Sequence, residues 1–180
     1  MGAFDDLAAQ FDPVDRKRKG DQFEIVCKWF LENDPTYKPL LKRVWLWNEW
    51  PGRKNIDAGI DLVAEHNDGK LWAIQAKAYN PAYSISKRDI DKFIAESSRA
   101  HFTHRLLIGT TDKRHNLATK LMDDLGIPFI GLTKLREADD YLDWPASLDN
   151  LRPSKPPKPK KPWPYQQSAI SDVVKGFNTA

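Results

Sequence analysis

Apolar residues recur along this chain at two periods, and each change of period marks a change of element. Phe23, Val26, Cys27, Phe30 and Leu31 share one face of a helix that Asp21 can cap and that ends near Pro35. Residues 43–47 then alternate apolar and polar, as a strand does. Residues 60–64 and 71–79 are two further strands, and the segment between them (EHNDGK, 65–70) places Gly69 at a turn, so the two should form a hairpin. Next comes a helix capped by Ser86, with Asp89 at its third position and Ile90, Phe93, Ile94 and Ser97 along one side. Residues 105–111 (RLLIGTT) form a buried strand, 116–125 a helix closed by Gly126, 127–132 another strand and 134–143 a last helix. The order α-β-β-β-α-β-α-β joins an antiparallel hairpin to parallel neighbours. It predicts an α/β fold, a mixed β-sheet flanked by helices on both faces.

The hairpin carries the chemistry. With its loop centred on Asp68, Asp61 falls opposite Gln75, and Lys77 lies on the same face two residues further on. Ile60, Leu62 and Ala64 alternate with these, as do Trp72, Ile74, Ala76 and Ala78, and would form the core face. Burying one side of the hairpin therefore gathers a carboxylate, an amide and an ammonium on the other. Folding alone does not require that grouping, because charged residues in a central strand must be paired or serve a function.

The segments GIDLVA (59–64) and WAIQAK (72–77) resemble the Mrr-like branch of the PD-(D/E)xK nucleases, in which Gln replaces the usual acid. The resemblance covers roughly residues 20–135 and implies a restriction-endonuclease-like fold and Mg²⁺-dependent hydrolysis of double-stranded DNA, with Mn²⁺ able to substitute. The metal would take oxygen ligands from Asp61, Gln75 and the main-chain carbonyl of Ala76, as a hard divalent cation requires. Lys77 would sit beside the attacking water and stabilise charge on the phosphate. A neutral Gln75 lowers the ligand charge by one relative to Glu, so weaker Mg²⁺ binding is expected. Glu24 either reaches this site from the first helix, as the resemblance implies, or pairs with Lys28 one turn on. Asp57 shares the strand parity of Asp61 and is an alternative ligand if the strand starts early. Tyr79 either contacts a sugar or phosphate or packs at the strand end. His66, His101, His104 and His115 show no zinc-ligand spacing.

Charge refines this picture. The 180 residues hold 28 Lys and Arg against 25 Asp and Glu, a net +3. Residues 152–162 alone hold five basic residues and no acid, and 163–180 balance Asp172 against Lys175, so residues 1–150 carry −2. Only local basic clusters, such as the run Arg16 to Lys19, could then meet DNA phosphates, unless they are simply solvated faces. A single cysteine excludes an internal disulfide, no basic-then-apolar leader opens the chain, and no apolar run approaches the ~20 residues of a membrane span. A cytoplasmic setting and no membrane partner are expected.

Seven of the thirteen prolines lie between 145 and 164. Residues 145–163 read as a stiff cationic linker, between a nuclease domain at 21–144, preceded by an arm at 1–20, and a short helical stretch at 164–180. That last stretch resembles the Gln motif opening superfamily 2 helicase domains, with Gln166 or Gln167 reading the adenine of ATP. The combination is similar to the N-terminus of single-polypeptide Type ISP restriction-modification enzymes, which implies as partners a helicase-like ATPase, a methyltransferase and a target-recognition domain of the same polypeptide. No Walker motif is present, so this chain should not hydrolyse ATP itself. Two other functions fit the same fold: a non-catalytic docking module for the motor, and a junction or repair nuclease.

Overall fold

The computed structural model describes residues 2–53, 59–98 and 102–151. Its elements are α1 (Ala3–Ala8), α2 (Arg16–Asn33), β1 (Leu41–Leu46), β2 (Leu62–His66), β3 (Leu71–Lys77), α3 (Lys87–Ser97), β4 (Phe102–Gly109), α4 (Asn116–Asp124), β5 (Phe129–Ile130) and α5 (Leu132–Glu137). The strands form one sheet in the order β1-β2-β3-β4-β5, antiparallel through β3 and parallel from β3 to β5. This is the mixed, helix-flanked sheet of a restriction-endonuclease-like fold.

Both faces of the sheet are buried. Leu62, Ala64, Ile74, Leu106 and Ile108 pack under α1, α2 and α5, whereas Val63, Ala73 and Leu107 pack under α3 and α4. The expectation of one core face and one polar face on the hairpin is therefore corrected: parallel pairing of β3 with β4 requires crossover helices, which cover the second face. Ile60, expected with Leu62, joins the second cluster instead. Gly59 explains the change, because its φ of +58° turns the chain before β2 begins.

The hairpin register is the expected one, with Leu62 opposite Ile74 and Val63 opposite Ala73. Other boundaries move. Asp21 does not cap α2; the helix starts six residues earlier than expected, at Arg16, where the Asp15 carboxylate accepts from the amides of Lys17 (2.9 Å) and Arg18 (3.0 Å). Asp21 lies within the helix and pairs with Lys17 at 2.8 Å. The first turn of α2 has no apolar residue, so hydrophobic periodicity could not register it. Within the expected arm, Phe4 and Leu7 of α1 are fully buried in the α2-side core, and the Phe4 amide donates to Asp139 at 2.9 Å. The last strand is only two residues long because Pro128 precedes it and α5 starts at Leu132, ahead of its expected start at 134.

Candidate active site

Asp61 stands immediately before β2 and is fixed by its main chain on two sides. Its carbonyl accepts from the Trp47 amide (2.8 Å), and its amide donates to the Ile74 carbonyl (3.0 Å). Its carboxylate then reaches across to β3, where Oδ2 accepts from the Ala76 amide at 2.7 Å. The acid is thereby held against the backbone between Gln75 and Lys77.

Gln75 is 2% exposed. Its Nε2 donates to the Gly59 carbonyl at 2.9 Å, which fixes the amide's orientation, since the flipped form would set two oxygens against each other. Oε1 is left buried without a hydrogen-bond partner. An orphaned acceptor costs about 1–3 kcal/mol and calls for an explanation. A hard cation is one, because it needs an oxygen that no protein donor already occupies, so the donor set of Asp61 and Gln75 fits a divalent metal. Among the described residues no three His, Cys, Asp or Glu side chains gather as a metal site, so any ligation here draws on amide or main-chain oxygens.

Lys77, half-buried, ends β3. Its Nζ lies 3.9 Å from Asp89 Oδ1, whose other oxygen accepts from the Ser86 amide (3.0 Å) and hydroxyl (2.7 Å). Burial, reinforced by a hydrogen bond to Asp89, pushes the Tyr79 hydroxyl well above its ordinary range. Burial alone would raise the Asp89 carboxyl, but Ser86, Tyr79 and Lys77 together hold it below the usual value. Asp89 thus serves both the α3 capping box and the Lys77–Tyr79 side of the site. The sequence identified only the first role, and the spacing of a cap carries no signal for the second. That signal lies in topology: a crossover from the end of β3 must bring the start of α3 back beside it.

Glu24 is half-buried on α2, and its carboxyl is pushed up to about 8 by burial and by the charges of Asp61 and Asp21, against which Lys17 and Lys77 pull it down. It therefore belongs to the electrostatic neighbourhood of Asp61 and Lys77. The alternative partner, Lys28, instead binds Glu49 at 2.6 Å. The Cys27 thiol, fully buried, is raised by desolvation first and then by Asp61 and Glu24, which places it behind the acids as packing. Asp57, Gln166 and Gln167 lie outside the described residues. Beside Lys77 and Ala76 opens a cleft of about 490 Å³, bounded on its far wall by the first turns of α2.

The chain matches a known family. Over residues 32–151 the chain matches Mrr_cat_2, a restriction endonuclease family. The chain belongs to that family. The ATP-dependent Type ISP restriction-modification enzyme LlaBIII, solved bound to DNA, is 33% identical over 98% of this chain, with a TM-score of 0.68. The chain spans 11% of the length of that enzyme. The DNA modification-dependent restriction endonuclease AspBHI is 16% identical over 83% of this chain and 36% of its own, with a TM-score of 0.52, and shares the fold. No curated protein matches the chain. This Mrr-type restriction endonuclease domain is thus related to a Type ISP enzyme, and its family implies nuclease activity.

Proposed function

We propose that the chain is a Mg²⁺-dependent endonuclease domain that hydrolyses phosphodiester bonds of double-stranded DNA with little intrinsic sequence preference, and that it is the cleavage module of an ATP-dependent, translocating restriction-modification enzyme. The observation that carries this reading is the Asp61 carboxylate seated on the Ala76 amide beside a buried, unpartnered Gln75 oxygen, with Lys77 next along the strand. Asp61, Gln75 Oε1 and the Ala76 carbonyl supply the oxygens that Mg²⁺ takes, and Mn²⁺ would substitute. The bound cation supplies Lewis acidity and a water of lowered pKa. Lys77, tethered by Asp89, offers its ammonium to charge developing on the phosphate. Glu24, whose carboxyl burial pushes up to about 8, holds or accepts a proton beside the attacking oxygen. Every one of these groups addresses a cation, a water or a phosphate, none a base edge, which supports cleavage without sequence reading. The relation to LlaBIII supports the assignment of motor, methylation and target recognition to other domains, ATP being used there.

The test is cleavage of supercoiled plasmid in Mg²⁺ and in Mn²⁺. Wild type should nick or linearise the DNA, whereas Asp61→Ala and Lys77→Ala should not. Equal cutting by the variants would overturn the site, and a folded wild type inert in both metals would favour the docking module.

A further inference from the structure

The basic run at the start of α2 divides in two. Lys17 binds Asp21 at 2.8 Å, and Arg18 lies 3.7 Å from Asp12, so these two cations are already engaged. Arg16 and Lys19 are three residues apart, hence on one helical face, and that face lines the cleft containing Lys77. Among the described residues neither has an acid within ion-pair distance. The acid nearest them in the wall, Asp12, is occupied by the amides of Val14 and Asp15 as well as by Arg18.

Gly20 follows in the same wall. A glycine inside a helix is unfavourable, and here a side chain at this position would meet nothing within 4 Å, so packing does not demand it. Its effect is to keep the wall low. Across the gap stand Tyr79 and Tyr83, the latter 68% exposed. A cleft lined by Arg16 and Lys19, by Lys77 and by Tyr79 and Tyr83 suits a polyanionic strand.

We propose that Arg16 and Lys19 are phosphate-binding residues that hold the DNA backbone on one side of the scissile bond, positioning the strand over Lys77. The proposal rests on the nuclease reading only for the location of the scissile bond. Binding itself can be read without cleavage, in EDTA, so failure of one is distinguishable from failure of the other. Each cation neutralises one phosphate, and together they release the counterions of about two.

The experiment follows fluorescence anisotropy of a fluorescein-labelled duplex with the full chain over a series of KCl concentrations. A double Arg16→Ala and Lys19→Ala variant should bind at least ~10-fold more weakly and lower the slope of log affinity against log salt by about 2. A matched double variant, Lys38→Ala and Arg43→Ala, removes two exposed cations from elsewhere and should change affinity less than about twofold. The swap Arg16→Lys with Lys19→Arg preserves both charges and should retain wild-type binding, which guards against a folding defect. Equal loss in both alanine pairs would reduce the effect to net charge and overturn the proposal. So would an unchanged affinity or slope in the Arg16/Lys19 pair, or a wild type that does not bind the duplex.

Discussion

The two ends of the β2–β3 hairpin are built from similar residues and treat their charges differently. At the turn end Asp68 meets His66 at 2.8 Å, Lys70 at 2.8 Å and the Lys70 amide at 3.0 Å, and its carboxyl is held well below the ordinary range, chiefly by Lys70. Lys42 closes on Glu65 at 2.9 Å, and the ring of Trp72 stacks between His66 and His104. At the other end the Asp61 carboxylate accepts from the Ala76 strand amide, the Gln75 amide oxygen lies buried with no donor, and burial pushes the Glu24 carboxyl up to about 8. The turn end pairs its charged groups with one another and leaves only a donor, the Trp72 indole N–H, buried without a partner, whereas the other end leaves an acceptor oxygen, the kind of group a cation takes. That unmet demand distinguishes a reactive centre from a solvated surface.

The contrast breaks most sharply in catalysis. Lys77→Ala or Asp61→Asn should lower the rate of plasmid cleavage by roughly 10³-fold, the scale of losing one group that stabilises developing charge. Asp68→Ala, at the turn end of the same hairpin, should leave the cleavage rate unchanged in the same assay. Matched losses at both ends would mean that the hairpin acts through folding alone.

Glu24 sharpens the comparison through pH. Its folded carboxyl titrates at about 8 against an ordinary 4.5, so the native state holds the proton more tightly than the unfolded chain does. The resulting stability is complete below pH 4.5 and is lost as pH rises toward and through 8. Glu24→Gln keeps the shape without the charge and should flatten that decline, giving a metal-free protein about 2 kcal/mol more stable than wild type at pH 8.5. Thermal unfolding in EDTA across pH measures it, and parallel curves for the two proteins would show that Glu24 is not desolvated beside Asp61.

Much of this arrangement is legible in the sequence because it is local. The Gly69 turn and the alternation around it fix the register that sets Leu62 opposite Ile74, with Asp61 immediately before the paired stretch, and the Ser86–Asp89 box starts α3 where expected. What the sequence hides depends on contacts between distant segments. Nothing near Asp89 signals Lys77, and nothing in the run Arg16 to Lys19 reveals that Arg16 and Lys19 line the cleft that contains Lys77. Periodicity also placed one core face on a hairpin that has two, because Val63 and Ala73 are too few to reveal a second buried face without the crossover helices that cover it.

Gln75→Glu tests the unmet demand directly. An added charge among the oxygens should tighten Mg²⁺ binding by about tenfold, or ~1.4 kcal/mol, by isothermal titration. The same carboxylate faces the Gly59 carbonyl, losing the 2.9 Å hydrogen bond, so the metal-free variant should melt at a lower temperature than wild type. Unchanged affinity would remove Gln75 from the ligand set.

The smallest effect is at the cleft wall. Gly20 lies within α2, with a helical residue on either side and open space where a methyl group would go. Alanine there removes the backbone entropy that glycine loses on folding and adds no clash, so Gly20→Ala should raise stability by about 0.5–1 kcal/mol, seen as a higher denaturation midpoint with unchanged slope. Gly20 borders the cleft beside Lys77, so a gain in stability on adding the methyl group would show that packing does not require a bare backbone at this wall. If alanine instead destabilises the protein, Gly20 has a packing role and the low wall loses its meaning.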